Sequence, residues 1–200
     1  MATSRSTPRL RLTLLLLTGV VVLVAVSERT AAVGLGGQLL QLAGLACMAT
    51  AALGRIWASV FIAGYKDTQL VRHGPYAALR HPLYALSLLA VLGMGLSTRS
   101  IAITAALLVA FTAIYLLAAR AEDRLLRVAH GADFDRYAAE VRAFLPRWYA
   151  CEVPDAIEVR PRILWKAFLD AGSLLGLWML LVAADSLQRA GCTPAWITLP

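Results

Sequence analysis

Apolar residues run along this chain in five long blocks, a pattern of membrane-spanning helices and not of alternating strands. A spanning helix needs about 20 predominantly apolar residues. Residues 10–26, broken by Arg11, predict a first such helix, and residues 31–53, with Gln38 and Gln41 but no charge, predict a second. Residues 83–97 form a shorter third run containing Gly93 and Gly95, and residues 101–119 form a fourth. Only Thr98, Arg99 and Ser100 separate these two, a link short enough to predict an antiparallel helical hairpin. The fifth run, residues 163–184, carries Lys166 and Asp170 near its start. Basic residues precede the first run, as in a signal peptide, but residues 25–27 make a poor cleavage site, and a retained helix is expected. Gly34-Leu35-Gly36-Gly37 lacks the third glycine of a dinucleotide loop and predicts helix packing through small residues.

Composition supports this architecture. Of 200 residues 60% are apolar and 16% charged, with a mean hydropathy of +0.69. A soluble domain has about 45–50% apolar and roughly 25% charged residues. A soluble globule, a disordered chain and a disulfide scaffold are therefore excluded, and Cys47, Cys151 and Cys192 show no paired or metal-type spacing. The net charge of +7 fits a membrane surface better than nucleic acid in so apolar a chain. With five spans, sixteen of the 19 lysines and arginines fall on one side, leaving Arg29, Arg99 and Arg189 on the other. The expectation is an all-α, polytopic, single-domain protein over residues 1–200, with its amino terminus and both long polar segments cytoplasmic.

Those segments, residues 54–82 and 120–162, hold nearly all the polar chemistry, and the second contains eight of the twelve acidic residues. Within it Phe134, Tyr137, Val141, Phe144 and Leu145 recur at helical spacing, predicting a peripheral helix on the membrane that Pro146 ends. In the first segment Gly74-Pro75 marks a turn, His81 precedes a proline, and Pro82 suits the first position of the next helix. A helix amino end flanked by Arg80 and His81 suits a carboxylate or phosphate; the same residues also suit an anchor at headgroup level. Just after the fourth run, Asp123 has Arg120 and Arg127 at helical offsets, whereas Glu122 has only Ala118, Ala119, Leu125 and Leu126. A carboxylate near the membrane without a local partner is a functional candidate, with a snorkelling glutamate as the plainer alternative. His73, His81 and His130 form no metal-ligand pattern, so no metal site is expected.

Together the two segments resemble the isoprenylcysteine carboxyl methyltransferase and phospholipid methyltransferase group of membrane enzymes. The first motif is similar to that group's Leu-Val-x-x-Gly-Pro-Tyr followed by Arg-His-Pro-x-Tyr, carried here by Leu70, Val71, Gly74, Pro75, Tyr76, Arg80, His81, Pro82 and Tyr84. The second resembles its Glu-Glu-x-x-Leu, Phe-Gly, aromatic pair and closing Pro, carried by Glu122, Asp123, Leu126, Gly131, Phe134, Tyr137 and Pro146. Asp123 stands for a Glu, His130 for the usual Phe and Leu86 for a frequent Gly.

The resemblance implies S-adenosylmethionine as methyl donor, bound on the cytoplasmic side without a Rossmann sheet. It implies that Thr68, Gln69, Leu70, Val71 and Tyr76 line the cofactor, and that His81, Pro82, Leu83 and Tyr84 hold its adenosyl or amino-acid part. Glu122 would sit near the donor's positive end. The group's substrate-side arginine one turn before the Glu is Ala118 here, and Arg120 is the nearest substitute in a catalytic role. The implied acceptor is lipophilic and comes from the bilayer, whose anionic lipids the basic face would attract. An NADPH-dependent membrane sterol or ene reductase and a non-catalytic membrane interaction protein are the alternatives.

Overall fold

The structure is a computed structural model that describes Gly19 and residues 27–29, 34–62, 70–147, 153–157, 159–190 and 197–199. Apart from Gly19, the predicted first span lies outside the described residues. Most of the described residues are helical: α1 (Leu35–Ile62), α2 (Pro75–Ala78), α3 (Pro82–Ser97), α4 (Ile101–His130), α5 (Ala132–Glu140) and α6 (Pro161–Arg189). Two short strands, β1 (Ser27–Arg29) and β2 (Ile197–Leu199), pair in parallel with Ser27 opposite Ile197. Among the described residues α1, α4 and Pro161–Leu187 of α6 are long and apolar enough to cross a membrane, while α3 is shorter.

The four long helices meet around Met48, Ala51, Ala90, Val91, Met94, Leu107, Phe111 and Leu181. Large apolar side chains on their outer faces, among them Leu39, Leu53, Leu117 and Leu180, stay exposed. Helix α1 crosses α3 at Gly44 and Gly93, where a Cβ on either glycine would come within 2.6 Å of the other's carbonyl oxygen. Without a hydrophobic drive between helices in lipid, such close backbone approach is a main source of association. The glycines expected to pack, at 34–37, are not where the helices meet most closely: Gly36 faces open space.

The hairpin of α3 and α4 forms as predicted. Thr98 Oγ1 donates to Gly95 O, Arg99 takes a left-handed φ of 59°, and Ser100 caps α4 by accepting from Ile103 N. At this end α6 is tied in by polar contacts: Arg99 Nη2 lies 3.8 Å from Asp185 Oδ2, Gln41 Nε2 donates to the same carboxylate, and Trp178 Nε1 donates to Ser97 Oγ.

Three boundaries differ from expectation. Helix α1 runs on past residue 53 to Ile62, because Arg55 turns inward onto α3 instead of ending the apolar run. Helix α4 continues as one helix through Glu122 and Asp123 to His130, where Gly131 at φ 53° ends it and donates to Arg127 O. Helix α5 stops at Glu140, because Val141 is extended and the carbonyls of residues 141–143 accept bonds from Arg80 and His81. Phe134, Tyr137 and Val141 are buried against Leu70 and Leu126, so that face meets the protein itself and not a membrane surface, while Leu145 is 63% exposed.

Candidate functional site

The segment leading into α3 is shaped by three residues. Gly74 adopts φ 60°, and a Cβ there would strike the Phe61 ring. Pro75 then opens the single turn α2, and Leu79 is extended. His81, at φ −121° and ψ 63°, caps α3, with Pro82 at the first helical position and Ala85 N donating to His81 O.

Arg80 joins this segment to the second motif. Its Nη1 donates to Asp123 Oδ2 at 2.8 Å, and its Nε and Nη2 donate to Val141 O at 3.3 and 3.2 Å. A further bond from Nη2 reaches Ala138 O, and the guanidinium lies over the Phe134 ring. Tyr137 Oη donates to Tyr76 O at 2.7 Å, and Arg72 Nη2 to Asp133 O at 2.6 Å. Burial pushes the Tyr137 phenol well above its ordinary range, so it donates as the neutral group.

The expected local partners of Asp123 are not the ones it takes. Arg127 instead binds Asp135 at 2.7 Å, and Arg120 is exposed. Asp123 serves the part-buried Arg80 and His81, whose Nε2 lies 3.0 Å from Oδ1. A desolvated cation needs its counter-charge more than an exposed one does. The His81 ring is 3% exposed and lies between Tyr84 and Phe144. Its Nδ1 faces Glu122 Oε2 at 3.9 Å, so Glu122 has a distant imidazole neighbour and no local basic one.

A cavity of about 310 Å³ opens here, at the low end of small-molecule sites. Tyr76, His81, Pro82, Leu83, Tyr84 and Glu122 line it. Leu70 packs instead against the Phe134 cluster and Val71 against Phe61 and Tyr76, while Arg120 lies away from the cavity. Thr68 and Gln69 lie outside the described residues. Arg55, Ser87 and Tyr115 also line the cavity, and sequence reasoning missed them. Arg55 lies just past the second apolar run, within the first polar segment, where nothing in the pattern sets it apart; Tyr115 sits in an otherwise apolar stretch, stacked on Tyr84 with centroids 5.6 Å apart.

Tyr76 is 7% exposed, and its Oη is buried with no hydrogen-bond partner. Burial, reinforced by the Glu122 carboxylate, pushes this phenol well above its ordinary range, so it stays a neutral donor. Across Pro82 lies a second, larger cavity of about 590 Å³ with apolar walls that include Leu53, Trp57, Leu79, Leu86 and Phe144. Among the described residues no three His, Cys, Asp or Glu side chains gather into a metal-sized group.

Membrane-length helices with a charged cavity beside the start of the shorter α3 define a class of membrane protein, and the family follows from the chain itself. Residues 30–133 match the phospholipid methyltransferase family, and the chain belongs to it. It is 36% identical over 161 residues, 80% of this chain and 74% of the relative, to the cobalt-zinc-cadmium resistance protein CzcN of Cupriavidus metallidurans. It is 32% identical over 157 residues, 78% of this chain and 73% of the relative, to the nickel-cobalt-cadmium resistance protein NccN of Alcaligenes xylosoxydans xylosoxydans. No solved structure matches the chain significantly.

Proposed function

We propose that this protein transfers a methyl group from S-adenosylmethionine to a lipophilic acceptor drawn from the bilayer. The observation that carries the reading is the pairing of two cavities at Pro82: a polar one holding Glu122, His81 and an unfilled Tyr76 hydroxyl, and an apolar one walled by α1 and α3. A charged, water-soluble donor fits the first and a hydrocarbon tail fits the second.

The residues present suit the donor. Glu122 offers a carboxylate to its positive charge, Tyr76 Oη offers a hydrogen bond that nothing else takes, and the stacked Tyr84–Tyr115 pair offers an aromatic wall. When bound, S-adenosylmethionine supplies an electrophilic methyl group on a sulfonium. The chain's own work is positioning, electrostatic stabilisation and exclusion of water. Asp123 and Arg80 hold His81 at the mouth of α3, and His81 fixes one wall beside Glu122. Arg120 stands outside the cavity, and the reading gives it no part in the transfer.

The excess of lysine and arginine on one side of the predicted topology supports a multi-pass protein with a cytoplasmic site and amino terminus, on a face attractive to anionic lipids. The names of the two relatives suggest that the methylated membrane component serves resistance to metal ions. The test is incubation of the purified protein with methyl-labelled S-adenosylmethionine and a membrane lipid extract. Label in the organic phase, lost in Glu122→Gln, is the expected result. A folded wild-type protein that transfers no label to any lipid overturns the reading.

A further inference from the structure

Arg55 is a charge inside an apolar helix, seven positions before α1 ends at Ile62. An arginine this near a helix end ordinarily extends along its stem to reach the headgroups. This one turns inward. Its Nη1 donates to Ser87 Oγ at 2.6 Å and to Leu83 O at 3.4 Å, and the side chain lines the polar cavity. Ser87 in turn donates to Leu83 O, so the first two turns of α3 hold the guanidinium in place.

Neither partner carries charge. The Arg55 Nε is buried with no hydrogen-bond partner. Among the described residues no carboxylate pairs with Arg55, whereas Arg80, Arg99 and Arg127 each face one. The second unfilled donor is Tyr76 Oη, whose residue lines the same cavity as Arg55. An intramembrane cation without a counter-charge is expensive and marks a ligand pathway by default. Two residues of one cavity that each keep a buried donor without a partner call for an acceptor, and the bare positive charge calls for a negative one.

We infer that Arg55 and Tyr76 form an oxyanion-recognition site in this cavity, taking a carboxylate or phosphate of the ligand while Glu122 takes a cationic group. The planar guanidinium suits either anion through paired N–H donors. Two sources carry such chemistry: the amino-acid carboxylate of the methyl donor, or the acidic headgroup of the acceptor. The inference deepens the methyl-transfer reading and rests on it only for the first source.

Calorimetry on the full chain in detergent separates them, using wild type, Arg55→Gln and Arg55→Lys. One arm compares S-adenosylhomocysteine with 5′-methylthioadenosine, which lacks the carboxylate. The other compares dodecyl phosphate with dodecanol. In one arm the glutamine variant is expected to lose about 10- to 100-fold in affinity for the anionic probe alone, the range for a hydrogen bond to a charged group. The lysine variant, which keeps charge but not the fork, should lose less, and it carries the test if the glutamine variant does not fold. Unchanged affinity in both arms, or equal loss for charged and neutral probes, overturns the inference. Labelled methyl transfer that persists without any such discrimination defeats this inference alone. Discrimination without methyl transfer defeats only the functional reading.

Discussion

Arg80 and Asp123, 43 positions apart in sequence, meet through a 2.8 Å hydrogen bond that locks the entry of α3 to the inner side of α4. Arg80 also satisfies the carbonyls of Ala138 and Val141, which α5 leaves open where it ends. One side chain thus joins three elements around the cavity.

Arg80→Ala should therefore destabilise the fold more than a surface change does. Removing one partner of a fully buried pair costs about 3–5 kcal/mol, and partial exposure of both groups reduces this to about 1–3 kcal/mol here. Thermal unfolding in detergent should show a midpoint lower by several degrees, roughly 2–4 °C for each kcal/mol in a chain of this size. A midpoint equal to wild type would mean that Asp123 and the α5 carbonyls find water instead.

Glu122→Gln and Asp123→Asn should separate in kind. Glu122 opens onto the cavity, so its neutralisation should leave the unfolding midpoint near wild type and lower methyl transfer by on the order of 10²–10³. Asp123 holds Arg80 and His81, so its amide should lower the midpoint and weaken binding of the demethylated donor. Two variants with the same profile in both measurements would contradict this division.

Gly93→Ala tests the crossing of α1 and α3. The added methyl meets Gly44 O at 2.6 Å and must force the helices apart. A loss of about 1–3 kcal/mol is expected, typical of overpacking. Gly36→Ala, in open space on α1, serves as the control and should not lower stability. Equal behaviour of the two would place the contact elsewhere.

The acceptor's tail should matter as much as its reacting group. Matched acceptors, one with a long acyl or prenyl chain and one cut to its headgroup, should differ strongly in methylation in liposomes if the apolar cavity beside Leu86 takes the chain, as proposed. Equal rates for the two would point to a small soluble acceptor.

What the chain declares locally, the structure follows. Pro82 after His81 sets the start of α3, Gly74-Pro75 sets the turn before it, and the three residues after Ser97 set the hairpin. These are effects of one residue's dihedrals on its neighbours. The partner of Asp123 was not legible, because the helical offset rule sees Arg120 and Arg127 but not an arginine 43 positions away. Arg55 was misplaced for a related reason: a hydropathy run ends at the first charge, whereas the helix continues when another helix offers that charge Ser87 and Leu83. The helical spacing of Phe134, Tyr137 and Val141 holds, but the competing demand of Arg80 for carbonyls ends α5 before Phe144 and Leu145.

Helix α3 has 16 residues. At 1.5 Å per residue it rises about 24 Å, roughly 6 Å less than the hydrocarbon core of a typical bilayer. A membrane packed against it has to thin to match. Water entering where the helix begins, beside His81 and Glu122, would make up that deficit and reach below the plane of the surrounding headgroups. A soluble molecule and a lipid can then meet with each still in its own solvent. In that arrangement bilayer thickness would control the meeting, longer acyl chains burying the entrance and shorter ones bringing it to the surface.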